Sequence, residues 1–299
     1  MQPEHAVAQG GPFLLLARIV RGSGRVVAGL AREPLGLAGL IVLVGVILVA
    51  ILAPVIAPYD PNVQNLYMAR QPPNWLHLAG TDEYGRDILS RLIYGTSITI
   101  QTVFSVTLIV GPIGLVIGVV SGFVGGRTDA LLMRVTDIVL SFPSLILALA
   151  FAAAIGPGLN TAVIAISLTA WPPIARLARA EAMIVRNADY VAAARLYGAS
   201  PLRLLTLYIA PMCIPSVVVR LTLNMAGIIL TAAALGFLGL GAQPPTPEWG
   251  AMISSGRRFM LDSWWIAVMP GLAILVTSLA FNLVGDSLRD ILDPRHDGN

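Results

Sequence analysis

Lysine is missing from this sequence altogether: all 19 basic side chains are arginine. A Walker A phosphate loop needs its lysine and Schiff-base chemistry needs one too. The chain by itself is therefore neither a P-loop ATPase nor a lysine-dependent enzyme. Cysteine is almost missing as well. Cys213 stands alone, which excludes an intrachain disulfide and a thiolate metal cluster. The three histidines, His5, His77 and His296, fall in three separate polar stretches, so no HExxH-type metal site exists and no metal ligand set is expected. Charge is scarce: 12% of the 299 residues are charged against 56% hydrophobic, with a mean hydropathy of +0.80. Too few polar groups remain to coat a water-soluble globule of this size, which makes this a membrane protein. The net charge of +3 and pI near 9.3 are then a topology signal, and no nucleic-acid partner is expected.

A membrane helix needs about 20 apolar residues to cross ~30 Å of hydrocarbon. Six stretches qualify or nearly so: Leu35 to Ala57, Ile98 to Val124, Ile138 to Ile155, Thr161 to Ile174, Ser216 to Leu240 and Trp264 to Val284. Trp171-Pro172-Pro173 interrupts the fourth, a kink tolerable near a membrane exit. Six spans put both termini on one side. On that side fall Arg18, Arg21, Arg25, Arg32, Arg127, Arg134, Arg176, Arg179, Arg186, Arg195, Arg203, Arg289 and Arg295; opposite stand Arg70, Arg86, Arg91, Arg257 and Arg258. The positive-inside rule makes the termini cytoplasmic, and Trp75, Trp249, Trp264 and Trp265 suit an outer aromatic belt. The expected organisation is an all-α polytopic membrane protein. Residues 1–34 form a cytoplasmic N-terminal segment, 35–287 a six-helix domain and 288–299 a cytoplasmic tail. Within the domain lie an outer loop 58–96, a cytoplasmic segment 176–214 and an external loop 242–263. The Phe13-Leu14-Leu15-Leu16 run is too short for a signal-peptide core, and it reads as an amphipathic segment lying on the membrane.

Proton-coupled carriers keep an ionisable group in mid-membrane, and these spans hold none there. Arg220 and Asp286 sit at matching depth near the cytoplasmic ends of the fifth and sixth spans, where they either pair or snorkel separately to the headgroups. Gly114, Gly118 and Gly122 recur every four residues along the second span, a face where another helix can come close. Weakly polar groups such as Gln101, Thr102, Ser105, Asn224 and Asn282 offer a lining for a pathway without selecting a ligand. Ser, Thr and Asn are plentiful, but no base sits in a span to activate them, so an intramembrane nucleophilic enzyme is disfavoured. A channel or self-sufficient carrier stays open on composition alone.

The stretch from Asp189 to Leu205 is the most informative. Asp189 suits an N-cap, Ala192, Ala193 and Ala194 favour helix, and Gly198 is a natural left-handed stop. Ser200 then caps a second helix that begins at Pro201. The spacing predicts two short helices joined at a glycine and decorated by Arg195 and Arg203, either an ordinary interfacial loop or a surface for another protein. On the other side, Asp82 is expected to cap a helix carrying Asp82/Arg86 and Asp87/Arg91 pairs. Pro244, Pro245 and Pro247 make a stiff loop with Trp249 at the headgroups.

The Asp189–Leu205 stretch resembles the EAA loop of ABC-importer membrane subunits, with Ala193, Ala194, Gly198, Ile209 and Pro211 in register; Ala192 stands where that pattern has an acidic residue and Ala210 where it has leucine. The similarity extends to the C-type permeases of the di- and oligopeptide branch. It runs through Gly80 to Gly95, Ser141-Phe142-Pro143, Phe237 to Gly250, and Gly285-Asp286-Ser287-Leu288-Arg289-Asp290 leading to Asp293-Pro294. The resemblance implies a type I ABC importer permease fold and a non-catalytic subunit. ATP and Mg2+ would sit on two partner ATPase subunits. These would couple through Ala192, Ala193, Ala194, Arg195, Gly198, Ala199, Ser200, Pro201 and Pro211. It also implies a homologous permease partner and an extracytoplasmic binding protein docking near Gln243, Pro244, Pro245, Glu248 and Trp249, a loop that equally serves as a structural brace. Peptides are the default substrate, with glutathione or nickel complexes as alternatives within the branch.

Overall fold

The computed structural model describes residues 33–292; the N-terminal amphipathic segment and positions 293–299 lie outside them. Ten helices carry the described residues. They are α1 (Pro34–Ile56), α2 (Ile88–Val124), α3 (Gly126–Leu140), α4 (Ser144–Ile155), α5 (Leu159–Ala170), α6 (Pro172–Val185), α7 (Asp189–Leu196), α8 (Pro201–Phe237), α9 (Trp249–Gly256) and α10 (Trp265–Leu292). Among the described residues the only β pairing is an isolated bridge, Thr81 to Asp87. The start of α1 and the end of α10 define one face, here the terminal face; the loop 57–87 and α9 lie on the opposite, distal face. Five helical runs are long and apolar enough to cross a membrane, and a sixth crossing is made if α3 and α4 count as one broken span. α10 runs past the expected boundary at 287.

The first crossing shows how a membrane helix survives its own proline. Pro54 has no N–H to give the Ala50 carbonyl, and the Ser97 hydroxyl of α2 donates to that oxygen at 2.6 Å, satisfying it inside the lipid depth. α1 turns Gly36, Gly39 and Ala53 inward and leaves Leu35, Ile41, Ile51 and Val55 exposed.

Glycine spacing sets a close helix–helix contact between α2 and α6. A Cβ on Gly114 would lie 2.7 Å from the Ile174 side chain, on Gly118 2.3 Å from the Ala175 carbonyl, and on Gly122 2.6 Å from the Arg179 carbonyl. Ala175, Ala178 and Ala182 answer from α6, all fully buried. Small residues on both surfaces let the backbones touch, the membrane substitute for a hydrophobic driving force.

The span expected over Ile138 to Ile155 is a broken one. The chain breaks at Ser141-Phe142-Pro143, with α3 and α4 bent by 87°, because Pro143 donates no hydrogen bond and steers Phe142 away from helical geometry. α3 carries Arg127, Asp129, Arg134 and Asp137 on the terminal face, and α4 enters the apolar layer. The fourth span is a single kinked run, Leu159–Val185. Its kink falls at Trp171-Pro172-Pro173, as the prolines demand.

Candidate functional site

On the terminal face, α6 hands over to a compact elbow. Arg186 caps α6 and its guanidinium donates to the Gly122 carbonyl at 2.7 Å. Ala188, not Asp189, is the N-cap of α7, and Asp189 sits in the first turn with no side-chain cap bond, where its charge still favours the helix N-terminus. The other end matches the sequence reading closely. Gly198 adopts φ +81°, its N–H bonds to the Arg195 carbonyl at 3.0 Å, and the Ala199 N–H reaches back to the Ala194 carbonyl at 3.1 Å. That pair of bonds is a Schellman closure, which needs a left-handed residue at the position Gly198 fills. Ser200 then accepts from the Arg203 N–H at 3.3 Å, with Pro201 opening α8. α8 begins as a π-helical turn over Leu204–Ile209 before Pro211.

Val191 and Leu204 are the buried feet of the elbow. Its outer surface is different. Ala192, Ala193, Arg195, Ser200, Pro201 and Pro211 are exposed, Ala194 and Ala199 half-buried, while Leu196 is 90% and Tyr197 93% exposed. Two large side chains, one aliphatic and one aromatic, thus stand free at the tip of a closed turn.

The distal face is a knot of loops pinned by charge. Asp87, not Asp82, caps α2, accepting from the Ser90 N–H and hydroxyl, both at 2.7 Å, with His77 Nδ1 2.9 Å from its other oxygen. Asp82 accepts from the Tyr84 and Arg86 N–H groups and pairs with Arg86 Nε at 2.6 Å. The expected Asp87/Arg91 pair is not formed. Arg91 instead lies 3.7 Å from Asp82 and donates to the Pro61 carbonyl at 2.8 Å, because residues 81–87 turn rather than extend the helix. This knot stands on α9. Trp249 is buried, its Nε1 donating to the Leu92 carbonyl at 3.2 Å, and a Cβ on Gly95 would meet its ring at 2.5 Å. Glu248 is buried too, capping α9 through the Gly250 and Ala251 N–H groups at 2.8 and 2.7 Å. Burial pushes its carboxyl above the ordinary glutamate range, partly offset by those two bonds.

The aromatic-belt expectation is thereby corrected. Trp75 and Trp264 are exposed, but Trp249 and Trp265 are inside, since each indole N–H finds a buried carbonyl, Trp265 that of Thr81. Glu248 and Trp249 face inward as braces, leaving Gln243, Pro244 and Pro245 as the exposed part of the loop.

Between the faces, the polar residues singled out from sequence scatter. Gln101 and Asn282 are exposed, Ser105 half-buried, and Thr102 buried with its hydroxyl on the Ile98 carbonyl. Asn224 alone among them borders a cleft of about 280 Å³, beside Ser144, Thr169 and Thr231. Arg220 and Asp286 are both exposed and form no ion pair, so their pairing is corrected; Gly285 and Leu223 fill the contact between those helices instead. Two ion pairs do tie α3 to α6, Arg179 with Asp129 and Arg176 with Asp137, between positions no local spacing links. Of the features read from sequence, Asn224, Ser141-Phe142-Pro143 and Trp171-Pro172-Pro173 meet at the cleft.

Comparison with known proteins converges with this geometry. Residues 114–298 match the family described as "Binding-protein-dependent transport system inner membrane component", and residues 24–73 match the "N-terminal TM domain of oligopeptide transport permease C". The chain is 45% identical over 269 residues, 90% of each chain, to the probable D,D-dipeptide transport system permease protein DdpC of Escherichia coli. It is 46% identical over 265 residues to the di/tripeptide transport system permease protein DppC of Pseudomonas aeruginosa, covering 87% of this chain and 88% of that one. A chain of the MetNI methionine ABC transporter, solved in inward-facing conformations, superposes with a TM-score of 0.55 at 19% identity, covering 67% of this chain and 96% of its own. The last likeness shows the fold alone: about two thirds of the chain follows the type I ABC importer permease arrangement. The chain belongs to the binding-protein-dependent inner membrane components, as a non-catalytic, multi-pass C-type permease of the peptide ABC transporters.

Proposed function

We propose that this chain forms one half of the pathway of an ATP-driven importer of di- and oligopeptides, with both termini in the cytoplasm. The observation that carries this reading is the elbow: a glycine-closed, rigid turn with Leu196 and Tyr197 bare at its tip and Val191 and Leu204 rooted in the helices behind it. Two ATPase subunits, holding ATP and Mg2+, would grip this tip from below. A homologous permease subunit would complete the pathway, and an external binding protein would deliver peptide across the exposed Gln243-Pro244-Pro245 edge. The relatives named for dipeptides and di/tripeptides support the substrate class.

The mechanism follows from where the elbow is rooted. α7 and the start of α8 are one closed unit, so displacement of the tip moves α8 as a lever, and α8 packs on α2, α6 and α10. Packed helices repack between discrete arrangements rather than deforming continuously. Nucleotide state would bias those arrangements only through the differential contacts the ATPases make with each. Reconstitution tests the reading: peptide uptake into proteoliposomes should require the second permease, the ATPases, ATP and loaded binding protein together. Uphill uptake by this chain alone would overturn it.

A further inference from the structure

We propose that the cleft bordered by Asn224 is a hydrogen-bonding station for a small zwitterionic solute, holding the free ammonium and carboxylate of a dipeptide as it passes this subunit. The proposal rests on the importer reading above and names where in this chain the substrate is touched.

Two interruptions, the break before α4 and the kink between α5 and α6, meet at the cleft opposite the unbroken middle of α8. Its lining includes Ser144, Thr169, Ala170, Pro173, Asn224 and Thr231. Irregular backbone at membrane depth persists only where protein buries it or where it lines a polar cavity. The interruptions supply unmatched partners of both kinds. Pro172 and Pro173 have no N–H, so the Leu168 and Thr169 carbonyls lose their helical donors. The Ile174 N–H turns to the Trp171 carbonyl at 3.1 Å, which releases Ala170 as well. The C-terminus of α5 thus offers free acceptors and a partial negative charge. Facing it, α4 begins at Ser144 with no side-chain cap, so its first N–H groups are free donors with a partial positive charge. The Asn224 side-chain amide nitrogen is buried with no hydrogen-bond partner, a costly arrangement unless something else occupies the site. No charged side chain lines the cleft. A ligand whose two charges cancel, and whose side chains vary, fits such a site; a net-charged one would be left uncompensated.

The test uses the complete transporter in proteoliposomes with saturating loaded binding protein and radiolabelled dialanine, reading dipeptide taken up per ATP hydrolysed. Asn224→Leu removes the donor and should lower that ratio about three- to tenfold, the span of one hydrogen bond. Asn224→Asp, isosteric but negative, should lower it further by repelling the carboxylate. ATPase stimulation by the loaded binding protein should persist in both, reporting intact assembly. Ratios equal to the parent in both variants overturn the proposal while leaving the importer reading intact. Should the leucine variant not assemble, the isosteric aspartate variant decides alone. A parent assembly that hydrolyses ATP yet moves no dipeptide sinks the importer reading itself, and this proposal with it.

Discussion

Arg179 and Asp129 meet through two hydrogen bonds, Nε to Oδ1 at 2.6 Å and Nη2 to Oδ2 at 2.7 Å, across fifty positions of sequence. The Ser121 hydroxyl donates to the same carboxylate, so α2, α3 and α6 converge on one anion. Paired donors in this geometry hold orientation as well as energy. The side chains are 31% and 20% exposed, which leaves part of the attraction unscreened. Asp129→Asn should cost about 1–2 kcal/mol after allowing for that exposure, read as a lower Tm of the purified protein. The reversal Asp129→Arg with Arg179→Asp should restore part of the loss. A Tm unchanged by Asp129→Asn would show that the pair does not hold α3 in place.

The α2–α6 contact gives a sharper contrast between two glycines. At Gly118 even a methyl would sit 2.3 Å from the Ala175 carbonyl and 2.6 Å from the Ala178 Cβ, whereas Gly45 in α1 has nothing within 4 Å. Gly118→Ala should destabilise by about 1–3 kcal/mol, the usual cost of overpacking. Gly45→Ala should be neutral or stabilising by up to about 1 kcal/mol, since alanine is the better helix former. Parallel thermal melts in detergent check both. Equal melts for the two variants would mean the backbones are not in contact.

Glu248 predicts a pH slope. Its folded carboxyl is raised by burial, so between the ordinary value near 4.3 and the folded value the native state binds more protons than the unfolded one. Stability contributed by this group is therefore full at low pH and falls as pH rises through that window. Glu248→Gln removes the titration. Subtracting its melting profile from the parent's should leave a curve that declines with rising pH. A difference curve that is flat, or that rises with pH, would contradict the upward push of burial on this carboxyl.

What the sequence disclosed, and what it hid, divides along the range of the interaction. The elbow was readable because Gly198, Ser200 and Pro201 act on their own backbone within a turn or two, and turn chemistry is local, although the N-cap fell to Ala188 and not to Asp189. The stripe Gly114, Gly118, Gly122 was readable as a surface, though not its partner Ala175, Ala178, Ala182. The break at Pro143 was hidden because the apolar run continues on both sides of it and hydropathy does not see direction. Trp249 reads as a headgroup anchor until its partner, the Leu92 carbonyl, is brought in from the second crossing. Arg179 and Asp129 carry no mutual signal at all, since their meeting depends on the α2–α6 contact forming first.

Gly198 separates conformation from crowding. A Cβ there meets nothing within 4 Å, yet φ is +81°, so any penalty for substitution comes from the backbone alone. Asparagine tolerates the left-handed region, alanine less well, and β-branched valine worst. The expected order of damage is Gly198→Asn, then Gly198→Ala, then Gly198→Val, the last costing roughly 1–3 kcal/mol locally. If the elbow works as the proposed lever, closed by the Schellman bonds, that order should appear in transport rather than in overall stability. Uptake per ATP should fall along the series while the Tm of the assembled complex moves little. If valine preserves the full ratio, the closed turn transmits nothing. If all three variants fail alike, then contact with the glycine surface, and not its backbone conformation, is what the partner requires.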